Sequence, residues 1–207
     1  MDRFKELHSS LVSCYETISA EGSLCWTPDS LTDASALLLA ISTTDFLSAL
    51  VITSSSLSYL MALTKSLQSE AKDIVEAVSE IGNLTSVLQD LRDNVDRYHD
   101  EWFAEVEQMC TAVGTEPSLP RICARQTHRS NVPSQTPTEY YRRTITIPLL
   151  DHMLSEMNHR FSTHQQTAVT GLYLVPSILV SKTLVEVKST LAKLGDMYSN
   201  DLPNPSE

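Results

Sequence analysis

Residues 74–113 read IVEAVSEIGNLTSVLQDLRDNVDRYHDEWFAEVEQMCTAV, and their spacing decides the fold class. Ile74, Val78, Ile81, Leu84, Leu88, Leu91, Val95, Tyr98, Trp102, Val106, Met109 and Val113 follow one another at intervals of three and four. Between them stand mostly polar and charged residues, among them Glu76, Glu80, Asp90, Asp93, Arg97 and Glu101. That period puts the apolar side chains on one face of an α-helix and the charges on the face toward water. The pattern predicts one long amphipathic helix over about 69–113, with its stripe extending about 60 Å at 1.5 Å per residue. Gly82 is its weak point, costing about 1 kcal/mol against alanine, and is the place to expect a bend. Nothing within a lone helix can bury such a stripe. It must lie against other helices of this chain or against a second copy.

The flanking sequence is helical too. Phe4, Leu7, Leu11, Cys14 or Tyr15, and Ile18 fall on one face of a first helix that Gly22 should end. Thr27-Pro28 is a start signal, a hydroxyl cap followed by a residue with no amide to satisfy, and Ser30 to Ile41 reads as a short apolar helix. Thr43 or Thr44 with Asp45 caps the next, which runs to about Gln68. Within it, Phe46 to Leu63 carries no charge and is as long as a membrane span. Asp45 at its entry, its serines and threonines, and the lack of an aromatic belt or basic flank favour a core helix over a membrane partner.

After Gly114 the texture changes. Pro117, Pro120, Pro133 and Pro137 mark residues 114–137 as a long connector, a feature that is often functional. Thr136-Pro137-Thr138-Glu139 starts a further helix through Leu150 and Met153 to Phe161, with Pro148 forcing a kink or break. Shorter apolar helices are expected near Gln165 to Tyr173 and Ser181 to Met197, joined by Leu174-Val175-Pro176, and residues 201–207 read as a frayed tail. The expected architecture is all-α: a multi-helix bundle built around the long helix, one domain over residues 1–200.

Composition narrows the function. There are 15 lysines and arginines against 26 acids, a formal net charge of -11, so bulk electrostatics do not draw the chain to nucleic acid. Five glycines in 207 residues leave no phosphate-cradling glycine loop. No GxGxxG, P-loop, HExxH or GxSxG occurs. Cys14, Cys25, Cys110 and Cys123 form no CxxC pair and read as free buried thiols in a reducing compartment, and Met1-Asp2-Arg3-Phe4-Lys5 lacks a signal-peptide core. His152 and His159 lie two helical turns apart without a cysteine or carboxylate at ligand spacing. Asp73, Asp90, Asp93 and Asp151 belong to solvated helix faces. No catalytic residue, metal, cofactor or small-molecule substrate is expected.

One local feature runs against the acidic background. Arg121, Arg125, Arg129, Arg142 and Arg143, with His128 among them, face a single acid, Glu139, between residues 119 and 143. Forked guanidinium donors in a loop match phosphate oxygens, which makes these arginines, with Gln126, the candidate nucleic-acid contacts. The competing reading is that they grip acidic faces of neighbouring helices and pin the connector, and the net charge favours it. Trp26 and Trp102 are candidates to stack on a displaced base. Trp102 lies on the apolar stripe, where core packing is the expected role.

The same stretch carries a resemblance. Pro120-Arg121, Cys123, Arg125-Gln126, Arg129, Asn131 and Pro133 stand in an order that resembles the hAT-superfamily transposases and their domesticated THAP-domain and MYM-type zinc-finger relatives. The likeness continues through Glu139-Tyr140-Tyr141, Ile147-Pro148-Leu149-Leu150-Asp151-His152, Arg160-Phe161, Leu174-Val175-Pro176 and Asp201-Leu202-Pro203, and upstream through Asp2-Arg3-Phe4 and Leu63-Thr64-Lys65-Ser66-Leu67-Gln68. In that family an RNase H-like core with an Asp-Asp-Glu metal site is interrupted by a large all-helical insertion. The resemblance covers that insertion and leaves the acids outside. It implies a non-catalytic nuclear domain with two readings. In one the arginine loop contacts DNA. In the other the helices serve protein interaction or self-association, with a second copy or a longer transposase-like protein as partner.

Overall fold

The computed structural model describes residues 2–20, 26–68, 74–121, 132–162, 167–169, 171–180 and 183–201. The chain is all-α, and no strand occurs among the described residues. The helices are α1 (Asp2–Ser19), α2 (Pro28–Ile41), α3 (Thr44–Leu67), α4 (Ile74–Asp93), α5 (Val95–Ala112), α6 (Pro137–Tyr141), α7 (Ile147–Arg160), α8 (Pro176–Leu179) and α9 (Leu184–Met197). A π turn, Arg142–Thr146, joins α6 to α7, and a 3-10 turn, Gly171–Leu174, precedes α8. The chain divides into two compact units, Met1–Tyr59 with Asp90–His152, and Leu60–Gln89 with Met153–Glu207.

In the first unit α1 packs on α2. The Nε2 atom of buried His8 lies 2.9 Å from the Ile41 carbonyl, and the His8 ring stacks on Phe46 at 6.3 Å. Thr27 caps α2 by accepting from the Ser30 amide at 3.2 Å, and Thr43 does the same for the Phe46 amide at the start of α3. α3 buries Leu47, Ser48, Val51, Ile52, Ser54 and Ser56. Among the described residues its Thr44–Ser66 stretch is the one helix long and apolar enough to cross a membrane.

The stripe of 74–113 is helical throughout but not one helix, which corrects the expectation. It breaks at Asn94, with φ −105 and ψ 29, while Gly82 sits inside an uninterrupted α4. The reason is local. The Asn94 side-chain amide donates to the Asp90 carbonyl at 3.1 Å and to the Asp90 carboxylate at 2.8 Å, competing with the backbone donors of that turn. The start of the expected helix, 69–73, lies outside the described residues.

The buried face of α5 is also wider than the spacing suggested. Val95, His99, Trp102, Phe103, Val106 and Cys110 are buried, while Tyr98, Met109 and Val113 are only half-buried. The face is centred one position further on. A broad stripe of this kind suits a helix covered by more than one neighbour. α5 ends at Gly114, whose φ of +68 allows the Gly114 and Thr115 amides to reach back to the Thr111 and Cys110 carbonyls at 3.1 and 2.9 Å.

Thr136 caps α6 by accepting from the Glu139 amide at 3.2 Å. The break expected at Pro148 takes the form of the π turn, in which the Ile147 amide donates to the Arg142 carbonyl five residues back. Proline has no donor for the Thr144 carbonyl and its ring would press on it in a straight α-helix. The wider turn just before it keeps the chain helical.

In the second unit α4 buries Ala77, Ile81, Leu84 and Leu88, and Met153, Leu154 and Leu194 are buried as well. Of the helix expected near Gln165 to Tyr173, residues 167–169 are helical, Gly171–Leu174 form the 3-10 turn, and 165, 166 and 170 lie outside the described residues. Leu174-Val175-Pro176 leads into α8 as expected, since a residue before proline disfavours the α region. Gly171 lies against Leu194: a Cβ there would stand 3.8 Å from its side chain. α9 starts later than Ser181, at a capping box in which Thr183 accepts from the Glu186 amide and the Glu186 carboxylate accepts from the Thr183 amide at 2.8 Å.

Candidate functional site

The most constrained cluster in the first unit forms where α5 meets α6 and the π turn. His99 is fully buried, with Nδ1 2.8 Å from the Thr146 hydroxyl and Nε2 2.9 Å from the Thr138 carbonyl. A carbonyl can only accept, so Nε2 carries the proton of the neutral ring and Nδ1 accepts from the Thr146 hydroxyl. Burial pushes the His99 pKa below its ordinary value. The Thr138 carbonyl, Asp100 and Asp96 pull it back up, and Arg142 adds to the lowering. Phe103 stacks between His99, at 5.6 Å, and Tyr141, at 6.1 Å, and Tyr140 meets Tyr141 edge-on at 5.2 Å. The Tyr141 hydroxyl donates to the Asp45 carboxylate at 2.6 Å and to the Ser118 carbonyl at 3.3 Å.

The candidate arginines divide into three groups. Arg125, Gln126 and Arg129 lie outside the described residues. Arg121 is exposed and makes no ion pair among the described residues. Arg142 and Arg143 are engaged within the chain. Arg142 donates to the Asp96 carboxylate at 2.7 Å, and Arg143 to the Pro133 carbonyl at 2.9 Å and the Glu139 carboxylate at 3.3 Å. Those contacts hold the far end of the connector to α6 and the π turn to α5. Trp26 is 47% exposed, just before the α2 cap, whereas Trp102 is buried as expected.

At the α4–α5 break, Asp90 also accepts from the Tyr98 hydroxyl at 2.9 Å, a bond that raises the Tyr98 pKa, while Arg97 covers the ring at 4.4 Å. His152 and His159 are both exposed on α7, and among the described residues no three His, Cys, Asp or Glu side chains gather as metal ligands do. Cys110 is buried, and burial raises its thiol pKa. Cys14 is exposed, against the expectation of a buried thiol, because it lies off the face that α1 turns inward with His8 and Val12.

His99 and Asp45 are not legible from apolar spacing. His99 sits four residues before Phe103 and four after Val95, a spacing that marks it as facing inward although its side chain is titratable. Asp45 stands at a helix start, where a cap role hides its long-range bond to Tyr141.

Outside this cluster, α9 leaves apolar side chains uncovered. Leu184 is 71% exposed and Leu191 46%, and Tyr198 continues the same row at seven-residue intervals. α9 itself carries two acids, Glu186 and Asp196, against Lys188 and Lys193.

Comparison with known proteins adds a relation over nearly the whole chain. The sequence is 32% identical over 204 residues to the 52 kDa repressor of the inhibitor of the protein kinase of Homo sapiens, covering 97% of this chain and 26% of that protein. It is 29% identical over 202 residues to the Mus musculus protein of the same name, again covering 97% of this chain and 26% of the relative. No family model matches the chain, and no solved structure matches it. The chain is therefore similar, almost end to end, to a segment about a quarter the length of these two repressors.

Proposed function

We propose that the chain is a non-catalytic helical domain derived from a hAT-like transposase, and that it works in the nucleus by self-association through α9. The relation to the two repressors supports a transposase-derived origin alongside the motif order of Pro120-Arg121 to Asp201-Leu202-Pro203. The observation that carries the working surface is the row Leu184, Leu191 and Tyr198. A seven-residue repeat of exposed apolar side chains is the seam that two copies of one helix bury against each other. The whole chain is strongly acidic, which opposes association, but α9 is charge-balanced, so the seam can close without local repulsion. Sedimentation velocity of the full chain should show a concentration-dependent dimer that Leu184→Glu with Leu191→Glu converts to monomer. A wild-type chain that stays monomeric at high concentration rules the reading out.

A second reading rests on Arg121, whose exposed guanidinium introduces the arginine-bearing connector. In it the connector follows a DNA backbone, and binding weakens steeply with salt. Gel shifts with hairpin DNA should lose the complex when Arg121, Arg125 and Arg129 become alanine. Equal binding by that variant removes DNA as the partner.

A further inference from the structure

The π turn is tied to α5 in two ways. One is the Arg142–Asp96 ion pair, whose carboxylate side chain is 76% exposed and therefore holds weakly. The other is His99, whose two ring nitrogens reach Thr146 at the end of the π turn and Thr138 in α6, 47 and 39 residues away in sequence. His99 and Thr146 are both fully buried, so the bond between them is closed to water, while the bond to the Thr138 carbonyl is part-buried. A π turn is a less favourable backbone than an α-helix and persists where its surroundings hold it. Here the principal holder is a titratable ring.

We propose that His99 is a protonation-sensitive latch for the π turn: neutral, it holds Arg142–Thr146 against α5, and protonated, it releases the arginine-bearing turn. The neutral ring matches its partners, donating at Nε2 to the Thr138 carbonyl and accepting at Nδ1 from the Thr146 hydroxyl. A second proton on Nδ1 turns that bond around, so the hydroxyl must redirect its own hydrogen inside a site closed to water. The charged groups that act on the ring are Asp96 and Asp100 from α5 and Arg142 from the π turn, and α6 presents the neutral Thr138 carbonyl. The two acids favour the charged ring, while burial and Arg142 oppose it more strongly. Acid is therefore accommodated by opening the contact, not by charging it in place. Opening frees Arg142 from Asp96, beside an Arg143 that is already exposed. The inference rests on the first unit alone and does not depend on association through α9.

Nuclear magnetic resonance on the labelled full chain, titrated from pH 7.5 to 5, reads the latch directly. The His99 ring should titrate below the ordinary histidine value of 6.5, and the backbone amides of Arg142 to Thr146 should shift with the same midpoint as His99. Arg142→Gln removes the neighbouring cation and frees Asp96, so both midpoints should move upward together. His99→Gln should abolish the amide shifts. If that variant does not fold, the Arg142→Gln titration decides alone. Amides of 142–146 that stay still while His99 titrates, or a His99 that protonates only as every amide in the chain is lost, would overturn the proposal.

Discussion

The Tyr141 hydroxyl donates to the Asp45 carboxylate at 2.6 Å across 96 residues of sequence, joining the first turn of α3 to the last residue of α6. The phenol ring is almost wholly buried and its oxygen also reaches the Ser118 carbonyl. Tyr141→Phe keeps the ring against Phe103 and removes both bonds. A hydrogen bond to a charged group contributes about 1.5–3 kcal/mol, so this substitution should destabilise the chain by about that amount. At about 2–4 °C per kcal/mol for a chain of this size, thermal denaturation should show a fall of several degrees. An unchanged melting temperature would mean that the bond is not formed in solution.

Acid should destabilise the protein through His99. Its folded pKa is lowered below 6.5, so between the two pKa values the unfolded chain binds a proton that the folded chain does not. Stability therefore rises with pH through that window, and the contribution is lost as pH falls below 6.5 toward the folded value. Urea denaturation at pH 7.5 and 5.5 measures it. His99→Gln, which cannot titrate, should narrow the difference between the two pH values, and an unaltered difference would assign the acid sensitivity elsewhere.

Two glycines should respond with opposite signs. Gly82 is helical, and a Cβ there meets nothing within 4 Å, so Gly82→Ala should stabilise by about 1 kcal/mol through helix propensity. Gly114 also has open space around it but holds φ +68, where an L side chain costs about 1–2 kcal/mol. Gly114→Ala should destabilise by that amount. Denaturant midpoints of the two variants on either side of wild type would separate backbone conformation from crowding, and a stabilising Gly114→Ala would contradict the Schellman ending of α5.

Thiol labelling should separate two cysteines cleanly. Exposed Cys14 should react with a maleimide in minutes in the native protein. Cys110, buried and held protonated, should react only on unfolding. Mass spectrometry of tryptic peptides after a short pulse reads both. Native labelling of Cys110 would mean that α5 opens far more often than its burial implies.

The readable parts of the fold are those with local causes. The caps at Thr27, Thr43 and Thr136 each rest on a side chain and an amide three residues away. The trouble at Pro148 was equally visible. Its resolution was not, because whether a helix kinks, ends or widens into a π turn depends on what holds the next turn in place, here Thr146 on His99. The Asn94 break was legible in principle, since asparagine competes for the carbonyl four residues back, but an uninterrupted apolar stripe hid it. The candidate site was the least legible part. Arginine chemistry suited phosphate and carboxylate alike, and only the positions of Asp96, Glu139 and the Pro133 carbonyl tell where Arg142 and Arg143 go.

Sequence alone determined that the chain is helical, where most helices begin, and that an apolar stripe had to be buried, because capping and periodicity act within one or two turns. Tertiary structure decided which face of α5 turns inward, that a histidine sits in it, and that two of the arginines are engaged with acids of the same chain. The contacts of His99, Tyr141 and Arg142 depend on partners 39 to 96 residues distant, whereas Arg143 finds Glu139 four residues back. A long or titratable side chain has many chemically acceptable partners, and only the packed fold brings one of them within reach.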